Sequence, residues 1–524
     1  MTRDQSISIQ SNSQSATGKR SALIIAAASA IGVAIYLSGS AASGIWGFAL
    51  DDAWIHQTYA RNLAATGQFA FVPGQSSAGS TSPLWTLLIA LGYVARVDYK
   101  WWTYVLGTAC LAMTALGVWQ LSLHLFPERP RAALAAGILC ALEWHLVWAA
   151  VSGMETVLFT ALSMWLLVVT GYPSPQPTTC HRPPAIGCQL SVGLLCGLLV
   201  LTRPEGLLLI GIVLLAQIVR EGWRQRATWT NLAVTLSGMA ILLVPWLVFN
   251  WRTSGTPFPN TFYAKQREYA SMLAAIPFAQ RLAQVIFAPF VGPLVLLLPG
   301  LIAVAWRPMR RLTERATWVH GVPLAWATTH LGLYAVRLPV TYQHGRYEMP
   351  VIPVLIVLGV GGTATLLRQN DPRLWLRVIS RAVPLATALL LLCFVILGAR
   401  AYTTDVAIIE GEMVHVAHWL DANAAPDELI AAHDIGAMGY FAQRPLLDLA
   451  GLISPEVIPF IRDEARLAAV IRQRGAAYLV TFPSWYPRLT DYNGKGGLLT
   501  LVPSFAGNGP VTSEHLTVYR LPQP

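Results

Sequence analysis

Apolar stretches of about twenty residues recur along this chain, separated by short arginine-bearing loops, and that alternation limits its fold more than any other feature. Only 12% of the 524 residues are charged and the mean hydropathy is +0.50, whereas a soluble protein carries about 25% charged residues. The chain reads as an α-helical polytopic membrane protein of about eleven spans. The net charge of +10 comes from basic residues gathered between apolar runs, at 220–226, 307–315 and 368–381. That is the pattern of loops retained on the cytoplasmic side, and it gives no stripe for nucleic acid.

With those loops inside, Ser21–Ser40 is a retained first span rather than a removed signal peptide, behind a disordered cytoplasmic tail at 1–19. Loop 41–100 then lies outside. Leu84–Val94 is too short to cross and is expected at the interface, which leaves Trp101–Leu125 as the second span. The remaining spans are expected at 131–150, 154–171, 189–202, 204–220, 231–250, 285–306, 317–335, 347–367 and 383–402. This threading makes 20–402 a membrane domain, places the N-terminus in the cytoplasm and assigns the protein to the plasma membrane.

From Thr403 the composition turns polar, with 13 acidic and 8 basic residues over 403–524. Helical spacing over Glu410–Asp421 and strand-like runs at Leu429–Ala432 and Tyr478–Thr481 imply a small extracytoplasmic α/β domain. Asp434 and Asp448 fall in turns after its strands; it is a candidate to bind an acceptor glycan, and nothing in it looks catalytic. None of the six cysteines lies there, so a disulfide framework is excluded. Cys180, His181 and Cys188 make half a metal site and read better as a reduced cytoplasmic loop.

Five polar clusters fall on the outer face in this threading: Asp51-Asp52, Ser152–Thr156, Thr202–Gly206, Thr253–Glu268 and Tyr342–Glu348. Two adjacent carboxylates beside a bilayer are costly unless water, a metal or a substrate hydroxyl uses them. A carboxylate there can take the proton of an acceptor hydroxyl, and arginine or lysine can hold a lipid phosphate as it leaves. An exported site has no cytoplasmic nucleotide sugar, so a lipid-linked donor is the economical one.

The segments DDAWIHQTYARNLAATGQFAFVPGQ, SGMET, TRPEGLLL, WRTSGTPFPNTFYAK, RYEMPVIP and DIGAMGYFAQRPLLDLAGL, in that order, resemble bacterial GT-C glycosyltransferases. The likeness is to mycobacterial terminal β-arabinofuranosyltransferases and, more remotely, to protein O-mannosyltransferases and the lipid A aminoarabinose transferase. It implies a GT-C fold and an inverting hexosyl- or pentosyltransferase that uses a polyprenyl-phosphate sugar donor. The acceptor it implies is a hydroxyl of a cell-envelope glycan, lipid or protein. Carried over by position, Asp51 or Asp52 is the base, with a slight lean to Asp51, and Glu155 is the second acid, holding the acceptor or a divalent cation. Arg203, Lys265, His344 and Arg346 are the donor-phosphate ligands. The chain lacks the second His or Arg that relatives carry near His344-Gly345-Arg346, which weakens the assignment of His344.

Plainer readings stand beside these. The two aspartates and Glu155 could cap helices, Arg203 could pin a hairpin through Glu205, and Lys265 and Arg346 could anchor helix ends at the interface. Asn260 reads as a turn residue. Trp46, Trp54 and Trp85 could stack on a sugar or belong to an interfacial belt. A flippase for lipid-linked sugars is the main rival function, though no internal repeat of the transporter kind is present.

Overall fold

The computed structural model describes residues 3–170, 186–310, 318–367, 372–492, 497–510 and 514–522. Cys180 and His181 of the half-site reading lie outside these, and Cys188 is an exposed free thiol. Helices cover every expected span, but in unequal pieces. Among the described residues five are long and apolar enough to cross a membrane singly, or up to seven if each of two bent pairs is one span, beginning with Thr17–Ala42, the apolar part of a helix that starts at Arg3 within the expected disordered tail. The expected span 131–150 is a pair, Pro130–Leu142 and Trp144–Val151, bent by 47° where Glu143 stops one helix and caps the next. The expected span 285–306 is broken instead of continuous, because Pro289, Gly292 at φ +131° and Pro293 interrupt it before Leu298–Arg310. Pro83–Val94 is helical and leaves Leu87, Leu91 and Val94 exposed along one side, as suits a helix lying at an apolar surface.

Helices that neighbour each other in a bilayer gain little from hydrophobic burial and pack through small residues. Leu298–Arg310 and Ile352–Leu366 meet at Gly300 and Gly362, where an added Cβ would come within 2.3 Å of Thr363 Oγ1 and 2.1 Å of the Gly300 carbonyl oxygen. This contact fixes the helix that follows Arg346.

The last span does not stop at the expected boundary of 402. Leu374–Ile409 continues through a π-turn at Glu410–Val414 into His415–Asn423, so one helical rod carries the C-terminal domain. After a small hairpin in the first loop, β1 (Ala70–Val72) with β2 (Gln75–Ser76), the strands β3 (Ile430–Ala432), β4 (Leu446–Asp448), β5 (Tyr478–Thr481), β6 (Val502–Ala506) and β7 (Thr517–Arg520) form one sheet in the order β4-β3-β5-β7-β6. β3 is parallel to β4 and β5, and the β7 pairings are antiparallel. Strand alternation splits the sheet's two faces. Ile430, Ala432 and Val480 join the core shared with the membrane domain, while Ala431 and Leu479 face helix Glu464–Gln473 through Leu467 and Ile471.

The domain is seated on the first loop at Gly436, where a Cβ would lie 2.0 Å from the Asp51 carbonyl oxygen. Gly436→Ala must therefore push the two apart, at a cost of about 1–3 kcal/mol for overpacking. The expected outcome is a lowered thermal midpoint and faster proteolysis around residue 440, read by thermal shift and limited digestion.

Candidate active site

The first-loop helix Asp51–Thr66 opens on its two acids, a favourable place for negative charge. Consecutive helical residues point about 100° apart, and the two carboxylates take different partners. The Asp51 carboxylate turns to the C-terminal domain and accepts the backbone N–H groups of Gly436 and Ala437, both at 2.8 Å. Asp52 turns the other way and accepts Arg346 Nη2 at 2.8 Å, with 36% of its side chain still exposed.

Arg346 is delivered by an unusual backbone. Gln343, His344 and Gly345 are left-handed in succession, at φ 56°, 58° and 67°. Two non-glycine residues in that region cost on the order of 1–3 kcal/mol each. The turn is tied down by Gly345 N–H to the Thr341 carbonyl (3.1 Å) and by the His344 imidazole to Asp405 Oδ2 (2.7 Å); Asp405 also accepts Trp148 Nε1–H at 2.8 Å.

Three cations gather on one phenol. Arg346 Nη2 and Lys265 Nζ each donate to Tyr347 Oη at 3.0 Å. Arg203 lies over the same ring, its Cζ 5.1 Å from the centroid. Arg203 comes from the break Arg203-Pro204-Glu205 between helices Ile186–Thr202 and Gly206–Glu221, and donates Nε–H to Glu155 Oε1 at 2.8 Å. His56 Nε2 sits 3.4 Å from the other Glu155 oxygen. Lys265 rides on helix Asn260–Glu268, whose first turn is pinned because Asn260 Nδ2 donates to the Leu452 carbonyl and Thr261 Oγ1 to the Gly79 carbonyl. Asn260 is thus a clasp between three segments. Arg203 Nη1 and Arg346 Nε and Nη1 are buried without a partner among the described residues. A buried donor left unpaired costs about 1–3 kcal/mol, more when charged, so these donors await an acceptor.

Two cavities meet here. One, about 860 Å³, is the more polar of the two, with many charged side chains set among apolar ones such as Ile408, Ile409 and Met413, and is bounded by the first loop, the 341–346 turn, Asp405 and the C-terminal domain. The other, about 700 Å³, is walled by Leu207, Leu208, Phe258, Phe262, Leu333 and Leu338, with Arg203 and Tyr347 at its inner end. Asp52, Lys265 and Arg346 line both, whereas Asp51 lines only the first.

The sequence-derived candidates thus divide. Asp52, Lys265, Arg346 and Arg203 converge. Glu155 supports Arg203, and His344 is committed to Asp405. Trp54 and Trp85 are packed inside the core, Trp85 donating to the Gly153 carbonyl, and Trp46 packs on Trp101 and Tyr104; none of the three lines either cavity. Among the described residues no three His, Cys, Asp or Glu side chains are grouped so as to hold a metal ion, and Asp52 and Glu155 are each already matched by an arginine. A divalent cation would sit against two guanidiniums and an ammonium, so these residues do not fit one. Tyr347, Asp405, Glu268, His433 and Trp485 were not singled out from sequence; each lines a cavity through folding alone.

Electrostatics separate the two aspartates further. Burial raises both; for Asp51 the neighbouring Asp434 adds to it and outweighs the two backbone N–H bonds, leaving the carboxyl well above the usual range. For Asp52 burial is outweighed by Arg346 and Lys265, which hold it down at about 2. A carboxyl raised in the folded state stabilises below its unfolded value of about 4 and loses that contribution as pH rises through its folded value. Thermal midpoints of the wild type should therefore fall from pH 4 upward through neutrality more steeply than those of Asp51→Asn.

A family model described as a domain of unknown function (DUF8728) matches residues 403–519, the C-terminal domain. No curated protein matches. Among solved structures, ArnT from Cupriavidus metallidurans bound to undecaprenyl phosphate aligns with a TM-score of 0.59 at 15% identity, over 95% of this chain and 97% of that one. The Archaeoglobus fulgidus oligosaccharyltransferase tethered with an acceptor peptide aligns at 0.61 and 12% identity, over 97% and 74%. AglB from the same organism, in complex with an inhibitory peptide and a dolichol-phosphate, aligns at 0.57 and 11%, over 90% and 70%. These neighbours are GT-C glycosyltransferases. With its broken helices, acidic first loop and C-terminal sheet, this chain has the GT-C fold.

Proposed function

We propose that the protein is an inverting glycosyltransferase that moves a sugar from a polyprenyl-phosphate donor to an acceptor hydroxyl at the extracytoplasmic face of the plasma membrane. In this reading the N-terminus is cytoplasmic and the C-terminal domain is outside. The observation that carries it is the set of buried arginine donors that have no partner among the described residues, where an apolar cavity meets a more polar one, beside one partly exposed carboxylate. Of the similar structures, ArnT is bound to undecaprenyl phosphate and AglB to a dolichol-phosphate, ligands of the kind such a wall would accept.

The apolar cavity takes the first isoprene units and the phosphate meets Arg203, Arg346, Lys265 and the Tyr347 hydroxyl. The acceptor hydroxyl enters from the polar cavity and its oxygen attacks the anomeric carbon as the bond from that carbon to the phosphate oxygen breaks. The hydroxyl proton passes to Asp52, the electron pair leaves with the phosphate, and a single displacement inverts the centre. Asp52 alone among the acids borders both cavities, which makes it the base of this proposal, with Asp51 seating the C-terminal domain. A carboxylate held at about 2 is a poor base. A donor phosphate competes for the same two cations, so loading the donor releases Asp52 and raises its basicity when it is needed.

Transfer from a radiolabelled panel of polyprenyl-phosphate sugars to membrane acceptors tests the assignment. Asp52→Asn should lower turnover by about 10²–10⁴-fold with donor binding retained, because an amide cannot take the proton; Asp51→Asn should lose far less. Normal turnover in Asp52→Asn, or no transfer from any donor by folded wild type, overturns it.

The pH profile gives a separate check. The kcat/KM profile reports the free enzyme and kcat the loaded one. The acid limb of kcat should therefore lie at higher pH than that of kcat/KM, and Arg346→Ala should move the kcat/KM limb upward while raising the donor KM.

A further inference from the structure

The C-terminal sheet contains a ligand-binding topology of its own. From β3 the chain passes through the turn Met438–Ala442 to β4 on one side, then through helix Glu464–Gln473 to β5 on the other. Met438 and Ala442 join the core shared with the membrane domain, while Leu467 and Ile471 join the opposite one, so the two crossovers cover opposite faces of the sheet. In such sheets a crevice opens at the carboxyl ends of the strands where the crossovers diverge, here β3 and β5. The residues that leave those two ends, His433 and Asp434 after β3 and Trp485 after β5, all line the polar cavity.

Their state suits a ligand rich in hydroxyls. The Asp434 carboxylate accepts no hydrogen bond from a described residue. Burial, then the charges of Asp52, Glu268 and Asp448, raise it to the border of neutrality against the pull of His433. His433 is held by Tyr486 Oη at Nδ1 (2.7 Å) and lies 3.5 Å from Glu268 at Nε2; Arg462 Nη2 donates to the same Glu268 oxygen at 3.0 Å. Trp485 packs against the His433 ring with centroids 4.8 Å apart, and still exposes 37% of its surface. An aromatic platform beside a free carboxylate and a histidine–glutamate pair offers one apolar face with donors and acceptors around it.

We infer that the crevice at the carboxyl ends of β3 and β5 is the acceptor subsite and that its ligand is a carbohydrate, stacked on Trp485 and hydrogen-bonded to Asp434. This rests on the reading of the Asp52 wall as the transfer point. Of the two cavities, the more apolar one, on the side of Asp52 away from Trp485, is better suited to a lipid chain.

Saturation-transfer NMR on the full chain in lipid nanodiscs tests it, with methyl glycosides and disaccharides of glucose, galactose, mannose, rhamnose and arabinofuranose as probes and no donor present. At least one saccharide should bind wild type. Trp485→Ala should weaken that binding about 5- to 10-fold, as expected for loss of one aromatic contact, and Asp434→Asn by a similar factor. Trp485→Phe, which keeps a ring, should restore most of it and shows that the domain is folded. Asp52→Asn should bind the saccharide while failing to transfer. A wild type that binds sugars through Trp485 yet transfers none would overturn the enzyme reading and leave the subsite standing. No binding by any saccharide, binding indifferent to both substitutions, or binding of serine- and threonine-bearing peptides in their place, overturns the subsite.

Discussion

The arrangement depends on keeping three cations close together in a protein that otherwise has little charge. Arg203, Lys265 and Arg346 converge on the ring and hydroxyl of Tyr347, where burial makes each charge expensive and their mutual repulsion adds to the cost. Glu155 and Asp52 offset part of it through bonds of 2.8 Å. The compensation is incomplete, since three guanidinium nitrogens of Arg203 and Arg346 have no partner among the described residues. A folded chain tolerates such a deficit where a ligand removes it, and a phosphate, with its several acceptor oxygens, matches what is missing.

Holding that cluster requires elements from distant parts of the chain. The left-handed run at Gln343–Gly345 turns Arg346 inward and is anchored by Asp405 from the last long helix and Trp148 from the bent pair. The C-terminal domain is tied to the same place from above. Asp51 grips the backbone at Gly436 and Ala437, and Asn260 holds Leu452. The domain therefore forms one wall of a cavity, and it brings His433, Asp434 and Trp485 into the same lining as the first loop.

Much of this was legible in the residues, and for physical reasons. A run of twenty apolar side chains has few ways to be stable outside a bilayer, so the helices were visible one by one, along with the strands at Ile430 and Tyr478. Polar residues kept among them despite the cost mark Asp51-Asp52, Arg203, Lys265 and Arg346, and the fold brings all but Asp51 to one place, Asp51 turning to the C-terminal domain. The bend at Glu143, the break at Gly292 and the continuation of the last span into the C-terminal domain were not visible. The first and third depend on how neighbouring helices pack, which local periodicity does not encode; the second follows from Pro289, Gly292 and Pro293, which a hydropathy count passes over.

Sequence alone determined that the chain is a helical membrane protein with an acidic first loop and a polar C-terminal domain, because hydropathy and helix length act locally. Only the tertiary structure decided how the polar residues divide their work. Two aspartates adjacent in sequence diverge by a helical turn's geometry, one toward Gly436 and the other toward Arg346. His344 is drawn to Asp405 and Glu155 to Arg203, while Tyr347 and Trp485 acquire meaning from what surrounds them. The physical reason is that charge pairing and burial are settled by distance in space. Residues separated in sequence by 294 positions, such as Asp52 and Arg346, meet only when the whole chain has folded.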